Sequence, residues 1–155
     1  MINKIVLPLV AFVLLPSLPA QARQIALAEA PAPVISGLKS LHPDAENILI
    51  DSELHFRMNL YDVKFNAGDR QTAILFDPQG RPFGHQEKID ARQLPVAVNK
   101  KLQRTFAHFS IQKTQLIRHP DGRIEYEVVV NGDGAAWELA MNPNGNILVK
   151  SLVAM

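Results

Sequence analysis

The chain has 155 residues, of which 47% are hydrophobic and 20% are charged, with a formal net charge of +1. That near-neutral balance argues against a nucleic-acid-binding protein, because such proteins need many Lys and Arg residues to neutralise phosphates. The sequence has no cysteine, which excludes disulfides, thiolate metal sites and a cysteine nucleophile. The composition therefore favours one ordinary globular domain, or two small ones, whose stability comes from an apolar core.

Residues 1–22 have the three parts of a secretory signal peptide. A short positive start with Lys4 precedes the apolar run Ile5–Leu18, and the small-x-small sequence Ala20-Gln21-Ala22 follows. A membrane anchor is the alternative, but the run is shorter than the roughly 20 apolar residues that span a bilayer, and Pro8 and Pro16 interrupt it. We therefore predict export to the periplasm or secretion, with no membrane span after cleavage.

Residues 23–33 are expected to form a flexible leader, because Pro31 and Pro33 block a continuous helix. A short helix should follow, with Val34 and Leu38 on its apolar face, and Pro43 should end it. About four antiparallel strands should come next. In one of them Tyr61, Val63 and Phe65 alternate with polar residues, and Gly-containing turns follow at residues 66–69 and 77–80. We expect a hairpin tip at residues 55–58, although this stretch lacks the usual turn-forming residues.

The second half of the sequence repeats this order. Pro95 suits a first helical turn, and Val98, Leu102 and Phe106 then fall on one helical face. The strand that contains Tyr126 aligns with the strand that contains Tyr61, and the match continues without gaps at a constant offset of 65 residues. At that offset the turns Asp77-Pro78-Gln79-Gly80 and Asn142-Pro143-Asn144-Gly145 also align. A constant offset across strands and turns indicates an internal duplication.

The duplication predicts an α+β fold made of two tandem α-β4 repeats, at residues 34–86 and 90–150. One copy alone would leave a sheet face and a sheet edge poorly covered, so we expect the copies to pair into one antiparallel sheet with the helices packed on one face. The opposite face would then be accessible.

These segments resemble a known group of exported bacterial domains. A short helix, a Tyr-acidic-Val strand, a Gly-containing hairpin and an Asp/Asn-x-x-Gly turn are similar to PepSY-like and beta-lactamase-inhibitor-protein-like (BLIP-like) domains. The matching residues are 61–80 with Phe83, and 94–145 with Leu148. The resemblance covers most of residues 34–150, and it implies tandem repeats whose helix-free face is open to a protein or peptide. Domains with this fold include inhibitors that grip an enzyme with that face and its hairpin loops.

The candidate binding residues lie on the face predicted to be free of helices or at its hairpin tip. If Tyr126, Val128 and Val130 face the helices, their neighbours in sequence face outward and mix charges with isolated apolar groups. Phe56 would be a natural anchor if it is exposed, whereas a shifted register would bury it. The predicted binding residues are Phe56, Met58, Lys64, Glu125, Glu127 and Glu138.

Other chemistry has weaker signals. No serine lies in a Gly-x-Ser-x-Gly elbow, and only the closeness of Ser52 to His55 suggests a hydrolase. The five histidines have no metal-ligand spacing, so we expect no metal site and no cofactor. The sequence therefore predicts a non-enzymatic binding module for a protein or peptide of the cell envelope, in the manner of an inhibitor or modulator of an extracytoplasmic enzyme. A small-ligand or metal carrier is the alternative.

Overall fold

A computed structural model of the chain describes residues 23–153. The predicted signal peptide, residues 1–22, lies outside the described residues. Two helices and nine strands make up the fold in the part that is described. The helices are α1 (Ala32–Leu41) and α2 (Val96–Thr105), and the strands are β1 (Arg23–Ile25), β2 (Glu46–His55), β3 (Met58–Ala67), β4 (Arg70–Phe76), β5 (Pro82–Lys88), β6 (Phe109–Arg118), β7 (Ile124–Gly132), β8 (Ala135–Met141) and β9 (Ile147–Leu152).

The nine strands form one antiparallel sheet in chain order, so each strand pairs with the next one along the chain. Turns with a residue in the left-handed region join several of them, including Gly80 in the β4–β5 turn and Gly145 in the β8–β9 turn. The sheet is curled, because His55 at the end of β2 contacts Glu127 on β7 although four strands lie between them. The protein is therefore α+β, and the single antiparallel sheet predicted from the sequence is confirmed.

Both helices cover the same face of the sheet. Val34 and Leu38 of α1 pack in one apolar core with residues of β2, β3 and β4, and Val98 and Leu102 of α2 pack in a second core with residues of β6, β7 and β8. The strand positions in these cores alternate with positions on the other face, as a pleated strand requires. We name the face opposite the helices the helix-free face.

Two close backbone approaches attach the helices to turns of the sheet. A Cβ atom at Gly80 would overlap the carbonyl oxygen of Pro33 at the start of α1, and a Cβ atom at Gly145 would overlap the carbonyl oxygen of Ala97 in α2. Gly37, which is unusual inside a helix, faces the carbonyl oxygen of Gly80 equally closely. These glycines therefore allow each helix to lie directly on a turn at one end of the sheet.

One local expectation is wrong and another is confirmed. The flexible leader predicted for residues 23–33 is wrong, because β1 pairs with β2, residues 27–29 form a 3-10 turn and α1 already begins at Ala32. The hairpin tip expected at residues 55–58 is present: although it contains no Gly or Asn, its backbone turns at Phe56 and Arg57, whose φ angles are positive at 45° and 71°. The tip keeps its register, since His55 pairs with Met58.

Candidate functional site

A cleft of about 690 Å³ lies on the helix-free face. Strands from both halves of the chain build it, from β2 and β3 on one side to β8 and β9 on the other. Its acidic side chains are Asp51, Glu53, Asp62, Glu127 and Glu138; its basic ones are Arg57, Lys64 and Lys113; its other polar ones are Gln86, Gln112, Gln115 and Ser151; its apolar ones are Leu54, Phe56, Val129, Leu152 and Val153.

Beside the cleft, two histidines and two glutamates form a buried group, which we name the histidine–glutamate cluster: His55, His119, Glu125 and Glu127. His55 Nδ1 lies 3.0 Å from Glu127 Oε2, and its Nε2 lies 3.5 Å from Glu125 Oε1. His119 Nε2 lies 3.1 Å from the other oxygen of Glu125. The cluster therefore joins the β2–β3 tip to β7 and to the β6–β7 turn.

Charge complementarity sets the ionisation of this cluster. Burial by itself lowers the pKa of His55, but its contacts with the carboxylates of Glu125 and Glu127 outweigh that effect and raise the pKa to about 9. Burial likewise raises the pKa of Glu125 and of Glu127, yet contacts with His55, joined by His119 at Glu125 and by Lys113 at Glu127, outweigh it and hold both pKa values below their ordinary value. At neutral pH, His55 is therefore an imidazolium between two carboxylates.

Two phenylalanine rings pack against the histidines of the cluster. The ring of Phe56 lies edge-on to His55 at 4.7 Å between centroids, and Phe83 lies between His55 and His119 at 5.3 and 5.0 Å. His119 Nδ1 also lies 2.9 Å from the carbonyl oxygen of Phe83. This packing removes water from the ion pairs, which strengthens them electrostatically.

The acidic side chains of the cleft differ in whether a cation neutralises them. Lys64 lies 2.7 Å from Asp51 and 3.4 Å from Asp62, and Lys113 lies 3.4 Å from Glu127. Glu53 and Glu138 have no such ion pair among the residues that the structure describes. The cleft therefore combines neutralised carboxylates with two that are not neutralised.

The environment of Glu138 raises its pKa to about 7. Burial is the main cause, and the charge of Glu127 together with a hydrogen bond between the two carboxyl groups adds to it. The pKa of Glu53 is also raised, first by burial and then by the charges of Glu127 and Asp62, against an opposing effect of Lys113. Near neutral pH, Glu138 thus changes its protonation state within the cleft.

The floor of the cleft contains an unsatisfied amide. Gln115 on β6 is only 8% exposed, and its Oε1 atom has no hydrogen-bond partner in residues 23–153. Gln86 Oε1, on the neighbouring strand β5, is also buried and has no hydrogen-bond partner in this range. Buried acceptors without partners are rare and costly in folded proteins, so they mark places where a further donor would be favourable.

The six predicted binding residues differ in their exposure and in whether they line the cleft. All six lie on the helix-free face or its tip, but Glu125 and Glu127, which were expected to be exposed, are only 7% and 2% exposed. That part of the prediction is wrong because the sheet curls and the β2–β3 tip covers them. Phe56, Lys64, Glu127 and Glu138 line the cleft, whereas Met58 is exposed at the tip outside its lining.

Several residues of the site are not evident from the sequence. Sequence patterns indicate His55 and His119 only as turn residues or as part of a hydrolase, and they do not single out Glu53, Lys113 or Gln115. The period-two pattern could have placed Lys113 and Gln115 on the same face as Glu127, because they lie on the strand next to it in the hairpin. No pattern within one strand could have shown that His55 reaches β7.

Two alternative chemistries receive no support from the geometry. The side chains of Ser52 and His55 project from opposite faces of β2, since they are three residues apart in a strand of period two, and both ring nitrogens of His55 face glutamates. Across residues 23–153, no group of three or more His, Asp or Glu side chains is arranged to hold a metal ion. None of the helices in this range is long and apolar enough to cross a membrane.

Comparison with known proteins identifies the fold. A DUF2874 family protein from Bacteroides uniformis superposes with a TM-score of 0.52 at 21% identity, covering 80% of this chain and 90% of that one. A predicted periplasmic protein from Bacteroides eggerthii superposes with a TM-score of 0.52 at 19% identity, covering 79% of this chain and 88% of that one. A BLIP-like protein from Bacteroides fragilis superposes with a TM-score of 0.50 at 19% identity, covering 79% of this chain and 85% of that one. No protein-family model matches the chain, and no curated protein matches it significantly.

At these identities the likeness establishes the fold alone. The chain thus has the fold of the BLIP-like protein, which confirms that part of the resemblance seen in the sequence. The likeness to PepSY-like domains stays a prediction.

Proposed function

We propose that the protein is an exported, non-enzymatic binding module that holds a segment of a protein or peptide partner in the cleft. The cleft itself carries this proposal, since it is a concave space on the one sheet face that the helices leave free, lined by polar, charged and apolar side chains from both halves of the chain. Concave sites with a few placed polar groups are where proteins bind ligands. The signal-peptide pattern supports a periplasmic or secreted location, as does the shared fold with a predicted periplasmic protein.

The size and the composition of the cleft favour a polypeptide over an ion. At about 690 Å³ the cleft is far larger than the space that a single ion needs. Apolar side chains such as Phe56, Val129 and Leu152 lie among the charged ones. A peptide offers the same mixture of apolar and polar groups, and we expect the half-buried Phe56 at the tip to contact it.

We further propose that the module inhibits or modulates an extracytoplasmic enzyme. The support is the fold shared with a protein named BLIP-like, together with a cleft bordered by a hairpin tip. If this is so, the partner recovered from the cell envelope is an enzyme, and its turnover changes when the purified module is added.

Site-specific photo-crosslinking tests the binding role. A benzophenone amino acid replaces Phe56 at the cleft in one protein and Val96 in a control, and both are irradiated in living cells. Val96 is 69% exposed at the start of α2, on the helix side. We expect a discrete adduct from position 56 that excess unlabelled protein suppresses, and none from position 96. Equal adducts at both positions, or no adduct at either, would contradict the proposal.

A small organic ligand is the second candidate, because the volume of the cleft also lies within the range of about 300–1,000 Å³ that is usual for such sites. Native mass spectrometry of protein taken directly from the cell envelope distinguishes the two. A stoichiometric mass increase of a few hundred daltons would favour the carrier, and a polypeptide adduct would favour the module.

We also infer that residues 34–86 and 90–150 are two copies of one unit. The support is the constant offset in the sequence together with the order of elements, since α1 precedes β2–β5 and α2 precedes β6–β9. Tyr61 pairs with Phe76 and Tyr126 with Met141, at the same offset. If the copies are equivalent, replacing the turn 77–80 by the sequence of the turn 142–145 should leave the fold intact in circular dichroism and in thermal unfolding.

A further inference from the structure

Two acidic side chains of the cleft stand apart from the others. Glu53 on β2 and Glu138 on β8 are half-buried and line the cleft, and neither forms an ion pair in the described part of the chain. The other three carboxylates of the cleft contact Lys64, Lys113 or His55. Lys113 acts on both carboxylates from beyond ion-pair distance, yet burial still raises their pKa values, so these two positions favour a closer positive charge.

A second and independent feature lines the same cleft. Gln115 is more than nine-tenths buried on the floor of the cleft, and its Oε1 acceptor lacks a donor within residues 23–153. A group that donates several hydrogen bonds can satisfy such an acceptor and a carboxylate at the same time. Guanidinium and ammonium groups donate hydrogen bonds, carry the required charge and accept none.

The remaining lining agrees with a cation on an apolar stem. Five carboxylates face three cationic side chains, so the cleft has an acidic excess, while Leu54 and Val129 offer apolar contacts. The cleft also reaches the last strand of the sheet, β9, through Ser151 and Leu152. An unpaired strand edge beside a cleft is a place where an extended polypeptide can add its own backbone hydrogen bonds.

From this arrangement we propose that the cleft receives an arginine or lysine side chain from an extended segment of the partner, whose cationic group pairs with Glu138, with Glu53 and Gln115 as further acceptors in the same cleft. The proposal rests on the proposed binding function and specifies the chemistry of what is bound. A free polyamine shares the cationic group but lacks the backbone that β9 can pair with.

Binding of such a cation is coupled to proton release. Glu138 has a pKa of about 7, so near neutral pH it is about half protonated, and a cation beside it favours the ionised form. The charged groups that act on it are Glu127 on β7, Lys113 on β6 and His55 on β2. Among these, only Glu127 raises the pKa of Glu138, and a bound cation would oppose that effect.

Isothermal titration of the exported protein with short peptides tests the proposal. The probes are an alanine-based heptapeptide with a central arginine, the same peptide with lysine, the same peptide with uncharged citrulline, and free spermidine. We expect the arginine or lysine peptide to bind about tenfold more tightly than the citrulline peptide. Titration at pH 7 in phosphate and in Tris should show the release of about half a proton, and the affinity should rise between pH 6 and pH 8.

Matched variants assign these effects to the cleft. Glu138→Gln keeps the shape and removes the charge, so it should abolish both the preference for the cation and the proton release. Glu87→Gln is the control, because Glu87 is exposed on β5 outside the cleft and contacts Arg118 at 3.7 Å. Circular dichroism confirms that both variants are folded. Gln115→Leu should weaken binding of the arginine peptide without changing the proton release.

Three results would overturn the inference: equal affinity for the arginine and citrulline peptides, unchanged binding in Glu138→Gln, or spermidine binding as tightly as the peptides. Any of them, combined with an intact crosslink from position 56, would refute this inference and leave the binding function standing. Loss of the crosslink as well would refute both.

Discussion

The β2–β3 tip and the β6–β7 turn both bring a histidine to Glu125, but different forces hold them. In the β6–β7 turn, Gly122 has a φ angle of 85° and donates its N–H to the carbonyl oxygen of His119 at 3.0 Å. Asp121 Oδ1 also accepts the backbone N–H of Arg123 at 3.0 Å. This turn therefore has local stabilisation of the kind that Pro, Asp and Gly supply.

The β2–β3 tip has no such local stabilisation. Phe56 and Arg57 adopt left-handed backbone angles that are unfavourable for side chains with a Cβ atom. Contacts across the sheet fix this tip instead, through His55 with Glu125 and Glu127. The comparison indicates that the β6–β7 turn is formed by its own sequence, whereas the tip beside the cleft depends on the buried ion pairs.

Removing the long-range contact should have the largest effect. His55→Ala leaves two buried glutamates without their shared cation, so we expect the free energy of unfolding to fall by about 3–5 kcal/mol. Urea titration followed by circular dichroism measures this. His108→Ala is the control because His108 is exposed on the surface, and it should change stability by less than about 0.5 kcal/mol. Similar losses in the two variants would refute the dependence of the tip on His55.

The stability of the protein should fall as the pH rises above 6.5, because His55 loses its charge. Folding raises the pKa of His55 from 6.5 to about 9, so its contribution is fully present below pH 6.5 and is lost as the pH rises through 9. We expect the wild type to lose up to about 3 kcal/mol over this window. The raised pKa of Glu138 acts in the same direction but mainly between pH 4.5 and 7.

The variant His55→Gln isolates the contribution of His55. The difference in unfolding free energy between the wild type and this variant should shrink steadily between pH 6.5 and 9, as urea titrations at several pH values can measure. A difference that stays constant across that range would show that the charge of His55 does not hold the tip.

The same contrast explains how much could be predicted from the sequence. The helix that begins after Pro95 and the alternation around Tyr126 follow from local propensity and periodicity, and the structure contains both. The helix-free face could also be assigned, because period-two alternation separates Lys64 from Val63 and Glu127 from Val128.

The burial of that face could not be predicted. Whether Glu127 is exposed depends on how far the sheet curls, and the curl is a property of all the strands together. His55 reaches Glu127 on β7 only as a result of that curl, because these two residues are 72 positions apart in the sequence. The residue types near Phe56 do not predict the turn conformation, because long-range contacts override the local preference for Asn or Gly there.

The smallest expected effects come from exchanging the backbone preferences of the two turns. Arg57→Gly relieves a φ angle of 71° at an exposed position, so it should stabilise the protein by about 1 kcal/mol. Gly122→Ala imposes a Cβ atom at a φ angle of 85° where no neighbouring atom lies within 4 Å, so only backbone strain opposes it, and it should destabilise the protein by about 1 kcal/mol. Paired urea titrations at one pH measure both changes. If long-range contacts hold a strained tip, Arg57→Gly should also recover part of the stability that His55→Ala loses. An Arg57→Gly protein that is less stable than the wild type would show that the left-handed backbone of the tip is not strained.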